Sequence, residues 1–270
     1  MIKDKRLKII FFGDVVGKPG RAALSRVLPE IKKEFAPDLI IANIENLAHG
    51  KGVTKKTLAE VRTSGVDVFT SGEHIYDKAT DEAAQALFSQ FTTLLKPMNF
   101  APERPGRGEV VIDTSKGKVR IVSLIGQVFI PFESLSPWEM LEEILARKDS
   151  VVATFVDLHA EATSEKVAMG QHFDGRISAL VGTHTHIPTA DATILPGGTA
   201  YVTDVGMNGP IPSVLGMESS RSIGRFITRE KIAYDVAQSN TAWLNYVIIE
   251  IDTTSGKAIN IDHKHEIIQI

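Results

Sequence analysis

Five times along the chain a short apolar run breaks off into a cluster of polar residues, and this recurrence narrows the fold more than any other feature. Lys8-Ile-Ile-Phe-Phe12 ends in Gly13-Asp14, and Asp38-Leu-Ile-Ile-Ala-Asn43 runs on into Glu45-Asn46. Val66-Asp-Val-Phe-Thr70 is followed by Ser71-Gly72-Glu73-His74, and Val151-Val-Ala-Thr-Phe-Val156 by Asp157-Leu-His159-Ala-Glu161. Ile177 to Val181 leads into Gly182-Thr-His184-Thr-His186. Short, continuously apolar runs are the signature of strands buried on both faces. Between them lie segments of helical spacing, such as Leu24, Val27, Leu28, Ile31 and Phe35. Strands alternating with helices build an open α/β sheet, whose functional groups collect outside the carboxyl ends of the strands.

Helix starts are marked locally. Thr57-Leu-Ala-Glu60 reads as a capping box opening a helix that stops at Gly65, and residues 77–90 read as another helix. Ser136-Pro137-Trp138-Glu139 combines a cap, a proline at the first position and a glutamate reaching back. Thr163 or Ser164 caps a helix ending near Gly175. The proline- and glycine-rich stretch from Lys96 to Gly108 reads as loop, Val119 to Ile125 as a strand, and Leu244 to Ile251 with Ala258 to Ile267 as a closing pair. No linker or repeat divides the chain. The expectation is one domain over 1–270, with Val128-Phe-Ile-Pro-Phe132 and Ile211-Pro-Ser-Val-Leu215 left open as a lid or as contacts of a homo-oligomer.

Composition removes several classes of function. A net charge of −3, with no polybasic stretch, gives no case for an extended nucleic-acid surface. The absence of cysteine excludes disulfides, zinc thiolates and thiol catalysis, so any metal is held by oxygen and nitrogen. The basic start, Met1-Ile-Lys-Asp-Lys-Arg, mimics a leader, but its apolar run is short and no small-residue cleavage site follows. No run approaches the roughly 18 apolar residues of a membrane span. A cytoplasmic protein without membrane contact is expected.

The chemistry lies in the run ends. In an extended segment His184 and His186 would point into the same space as a pair of neutral nitrogen donors. Spacing alone is weak, since His263-Lys264-His265 has the same pattern among charged neighbours and reads as an ordinary half-exposed strand. What distinguishes the first pair is the company of Asp14, Glu45, Glu73 with His74, and His159 at the other ends. Such a set exceeds one ordinary metal site and suits two divalent ions about 3.5–4 Å apart, bridged by a carboxylate and a hydroxide. Without cations, converging carboxylates would repel one another. Asp157 suits a role behind an imidazole or a loop cap. Lys18, Arg21 and His49 are candidates to meet a phosphate, His172 is read as structural, and Asp204 closes a strand without an assigned role.

Five motifs carry a family resemblance. Gly13-Asp-Val-Val-Gly-Lys-Pro-Gly-Arg21, Asn43-Ile-Glu-Asn46, Asp157 to Lys166, Gly182 to Asp191 and Tyr201 to Pro210, in this order, resemble the YmdB-type branch of the calcineurin-like metallophosphoesterases. The resemblance implies a four-layer α/β/β/α sandwich with the metal site at the C-terminal ends of the strands. It further implies two divalent metals, iron or manganese, and phosphodiesterase activity on a small-molecule phosphodiester such as a 2′,3′-cyclic nucleotide. By position, Asp14 and His186 would hold one metal, and His159 and His184 the other. Glu45 would bridge them, Asn46 would lie beside the bridge, and His74 would touch substrate and protonate the leaving oxygen. The family's Gly-Asn-His reads Gly72-Glu73-His74 here. Glu73 still offers an oxygen to the second metal, but it brings one more negative charge. Retuned catalysis is therefore expected, and a metal-binding regulatory protein with little turnover is the alternative. An amidohydrolase-type site fits less well, because its His-x-His pair belongs on the first barrel strand and here it follows residue 180.

Overall fold

The computed structural model describes residues 5–270, so the basic start considered as a leader falls partly outside the described residues. The elements in the first half are β1 (Arg6–Phe12), α1 (Gly17–Phe35), β2 (Leu39–Asn43), α2 (Lys55–Ser64), β3 (Val68–Thr70), a 3-10 turn (Glu73–Tyr76), α3 (Asp81–Gln90), β4 (Glu109–Thr114) and β5 (Gly117–Ile125). There follow α4 (Pro137–Leu145), β6 (Ala153–His159), α5 (Thr163–His172), β7 (Ala179–Thr183), β8 (Thr193–Ile194), β9 (Ala200–Val202), β10 (Gly209–Pro210), α6 (Ser219–Thr228), β11 (Thr241–Asp252) and β12 (Lys257–Gln269).

The strands form two sheets where the run pattern alone suggested one. The first is ordered β10-β11-β1-β2-β3, with β12 also on β11, and the second β4-β5-β6-β7-β9-β8. Alternation along each strand shows how they stack. Leu7, Ile9 and Phe11 of β1 meet Val119, Ile121 and Phe155 of the second sheet in a core between the sheets. Ile10 and Phe12 point the other way, into a core with Leu24, Leu28, Leu58 and Val61 of α1 and α2. Val122, Leu124, Val156 and Leu158 face Leu141 and Ile144 of α4, Met169 of α5 and Phe173 just after it in a third core. The result is the four-layer α/β/β/α sandwich. Each large side chain removed from water contributes about 1.5–3 kcal/mol, and the rings of Phe11 and Phe155, 5.4 Å apart, tie the two sheets together.

What positions the site is the parallel pairing of β1 with β2 and β3, and of β5 with β6, β7 and β9, which gathers their carboxyl ends on one rim. The register sets His159 beside Thr183. Across the rim, Asn43 Nδ2 donates to Asp157 Oδ2 at 3.0 Å, so a polar link joins the sheets directly under the site.

Some helix starts differ from expectation. The α2 cap is Thr54, whose hydroxyl exchanges hydrogen bonds with Thr57 in a capping box that does not involve Glu60. At α5 the capping position is Ala162, which offers no side-chain acceptor, and the helix ends at His172 rather than near Gly175. Residues 77–80 precede α3, which Thr80 caps. Ser136 and Pro137 open α4 as expected, with Ser136 Oγ accepting from Glu139 N. Among the described residues no helix is long and apolar enough to cross a membrane.

Candidate metal centre

Each of the five run ends delivers its side chain to the rim. Ligand atoms of Glu45, Glu73, His159 and His184 all lie within 4.8 Å of one another. His159 Nε2 is the hub, 3.2 Å from Glu45 Oε1, 3.1 Å from Glu73 Oε2 and 3.0 Å from His184 Nδ1. Beside this group is a second one. Asp14 Oδ1 is 4.0 Å from His186 Nε2 and 3.7 Å from His159 Nδ1. Asn46 lines the same cavity of about 470 Å³, together with His74, Lys51 and Glu161.

The histidines do not converge through strand geometry. β7 ends at Thr183, and His184 and His186 have φ of 102° and 65°, a region costly for side-chain-bearing residues. The turn sends His184 toward Glu73 and His186 toward Asp14. Its backbone is held by His184 N donating to Asp14 Oδ2, and by Thr185 N and Oγ1 donating to Asp204 Oδ2. Asp204 is fully buried and paired with the equally buried Lys166 Nζ at 2.8 Å, which also donates to Thr183 O. Gly72 is a matter of space, since a Cβ there would lie 2.2 Å from the His159 ring and 2.3 Å from Glu45 Oε2.

Outer contacts select the nitrogen that each ring turns inward. His159 Nδ1 bonds Thr183 Oγ1 at 2.8 Å, and that hydroxyl donates to Asp157 Oδ1, so Nδ1 is engaged by the second sheet and Nε2 is the nitrogen turned to the cluster. His186 Nδ1 donates to Leu215 O, freeing Nε2. His184 Nε2 pairs with Glu161 Oε2 at 3.0 Å, freeing Nδ1. His74 Nδ1 is 3.0 Å from Asp77 Oδ2, and its backbone N donates to Glu45 Oε2.

Electrostatics make the cluster a place for positive charge. Burial raises the Asp14 carboxyl above its ordinary value despite His186 and His159 nearby. Burial also pushes Glu45 and Glu73 upward, but His159 beside them more than offsets it, and both end below the usual range. For His159 burial opposes the charged form, yet Glu45 and Glu73 hold its imidazole well above the usual value. Burial, then the charge on His159, lowers His184. Behind them, burial pushes Asp157 up to about 6.

The residues fit metal ions on two observations. Asp14 Oδ1 and Asn46 Oδ1 are buried acceptors without a hydrogen-bond partner, which is costly unless a cation meets them. The donors are imidazole nitrogens and carboxylate oxygens, a set that suits divalent first-row metals.

Other sequence candidates lie elsewhere. Arg21 bridges Glu60 and Leu47 O, and Lys18 and His49 line separate hollows. His172 pairs with Glu142, while His263 and His265 bond Val205 O and Asn245 on β12 and its neighbours. Sequence reasoning assigned no role to Thr183, Glu161, Lys51 or the Lys166–Asp204 pair. Thr183, Glu161, Lys166 and Asp204 lie within the family motifs, but no local signal assigned them a role, and Lys51 lies in a glycine-flanked loop.

A family model described as YmdB-like protein matches residues 10–263. The chain belongs to the YmdB-like family. The Bacillus subtilis (strain 168) protein named 2′,3′-cyclic-nucleotide 2′-phosphodiesterase is 40% identical over 259 residues, covering 95% of this chain and 96% of that one. A solved Mycoplasma pneumoniae structure described as a novel phosphatase is 36% identical with a TM-score of 0.91, over 98% of this chain and 94% of its own. A Thermus thermophilus structure is 34% identical with a TM-score of 0.89, over 96% and 99%. Similarity therefore spans nearly the whole of each chain, and the resemblance read from the motifs holds at the level of family and fold.

Proposed function

We propose that this YmdB-like protein is a metal-dependent phosphodiesterase that opens the ring diester of 2′,3′-cyclic nucleotides. The observation that carries the reading is the buried cluster itself, with carboxylate and imidazole donors brought within ligand distance at the floor of a cavity. The name of the B. subtilis relative supports the substrate class. In this reading Asp14 and His186 would hold one divalent ion, His159, His184 and Glu73 would hold the other, Glu45 would be shared between them, and Asn46 would offer its unpartnered oxygen nearby. Iron or manganese fits these oxygen and nitrogen donors. Two such ions supply a nucleophile at neutral pH and positive charge against the phosphoryl oxygens.

The remaining work falls to the chain. Water adds across a P–O bond of the ring, its oxygen going to phosphorus, while the ribose 2′ oxygen leaves with a proton and the 3′ phosphate remains. In this reading His74, which lines the cavity, gives that proton; its Nδ1 lies 3.0 Å from Asp77 Oδ2, and its Nε2 is 3.8 Å from Glu73 Oε1. Lys51, on the same wall, suits the phosphate's negative charge. Glu73 turns into the cluster, which keeps the regulatory alternative in play. Three carboxylates against two divalent cations leave a single net positive charge, one less than an asparagine would leave.

Metal content and hydrolysis of 2′,3′-cyclic AMP, measured together in the parent and in Glu73→Asn, test this reading. Two metals with formation of the 3′ monophosphate are expected in the parent, with faster turnover in Glu73→Asn. Two metals and no hydrolysis in either protein would contradict the enzyme reading and favour the regulatory one.

A further inference from the structure

The cavity over the cluster has two unlike walls. One is Glu45, Glu73, His74, His184 and His186, and the other is Val214, Leu215, Met217, Phe226 and Tyr234. Phosphodiester hydrolysis accounts for the first and asks nothing of the second. Helix α6 contributes Phe226 to the apolar wall and lies outside the three cores. Its Ser222 and Phe226, four residues apart and so on one face, both line the cavity. Phe226 is 80% exposed, an unusual state for a phenyl ring held at the mouth of a site. Ser222 is 3% exposed, and its hydroxyl has no hydrogen-bond partner. Next to them the Arg225 guanidinium lies 4.1 Å over the Tyr234 ring and donates to Ile232 O, fixing that ring in the wall. A ligand that satisfies both walls carries a phosphate at one end and a flat apolar face with polar edges at the other.

We propose that Phe226 is the stacking platform for the substrate's nucleobase, with the Ser222 hydroxyl bonding a polar atom of the nucleoside. The inference rests on the phosphodiesterase reading and deepens it. Every base presents a π face, so a stacking platform tolerates all four bases. The enzyme then discriminates nucleoside cyclic phosphates from cyclic phosphates that lack a base, more than one nucleoside from another.

The test compares manganese-loaded parent, Phe226→Ala, Phe226→Trp, Ser222→Ala and Ile227→Ala on two substrates. These are 2′,3′-cyclic AMP and the 2,3-cyclic phosphate of 1-O-methylribose, which keeps the ring diester and has no base. Phe226→Ala is expected to raise KM for cyclic AMP roughly tenfold, with kcat and the methylriboside constants unchanged. Phe226→Trp restores KM, Ser222→Ala raises it less than Phe226→Ala does, and Ile227→Ala changes nothing, since Ile227 is exposed on α6 and does not line the cavity. A second readout is independent of turnover. In Phe226→Trp, adenosine 3′-monophosphate quenches tryptophan fluorescence beyond the parent, whose Trp138 and Trp243 do not line the cavity, and methylriboside 3-phosphate does not. An unchanged KM in Phe226→Ala, equal losses on both substrates, or no quenching would overturn the proposal. A changed oligomeric state with KM intact would overturn it too, by making α6 a subunit contact. If the parent turns over neither substrate, the phosphodiesterase reading fails, and the fluorescence titration still decides whether the base stacks.

Discussion

At the scale of single residues the site is a set of paired constraints, in which each ligand candidate has a partner that fixes its ring or its charge. His159 shows the logic most fully. Its Nδ1 bonds Thr183 Oγ1, Thr183 bonds Asp157, and Asp157 also accepts from Thr70 and Asn43. Removing the hydroxyl while keeping the shape, as in Thr183→Val, should weaken manganese binding by about 10–100-fold, and Thr183→Ser should retain it. Equilibrium dissociation constants for manganese check this, and equal affinity in Thr183→Val would show that the ring is held by packing alone. Asp14, Glu45, His159, His184 and His186 stood out in the sequence because each lies within five residues of the end of an apolar run, in a polar cluster. Thr183 was not. Its role depends on the register of β6 against β7, and nothing local distinguishes it from any threonine at a strand end. The positive φ values of His184 and His186 were equally hidden, since no glycine or asparagine marks the turn.

At the scale of elements, the feature that holds the His184 to His186 turn is a buried ion pair between α5 and the loop after β9. Both partners are fully buried, so removing one leaves an uncompensated charge. Lys166→Met should cost about 3–5 kcal/mol of stability. Adding Asp204→Asn should recover part of it. Thermal unfolding of the two proteins measures both effects, and a Lys166→Met protein as stable as the parent would mean that the pair carries no structural load. In the sequence, Lys166 and Asp204 lie 38 positions apart in different elements, and only the fold reveals them as one unit. Helix starts were legible where a cap and a proline coincide, as at Ser136-Pro137. They were less so at α2, where two threonines cap each other and the more familiar glutamate pattern lies one turn further on.

At the scale of the whole molecule, the division into two sheets was the least legible feature from strand patterns. Strands buried on both faces carry no alternation, so nothing in β1 or β6 says which sheet it joins. The family motifs, by contrast, implied the layering directly. Stacking the sheets with their carboxyl ends on one rim is what turns five separated run ends into one cluster. Whether that rim is a two-metal centre is decided by calorimetric titration of manganese into metal-stripped protein. Burial opposes the charged form of His159, but Glu45 and Glu73 raise its pKa above the ordinary value, so the stripped cluster favours a proton. That proton adds stability below the ordinary imidazole value of about 6.5, and the contribution is lost as pH rises through the raised value. Manganese takes the neutral ring and must displace the proton, so affinity rises with pH over the same window. Two equivalents are expected to bind, with a heat that depends on the buffer's ionisation enthalpy because protons are released. A single equivalent, or binding that releases no proton and ignores pH, would contradict a two-metal rim.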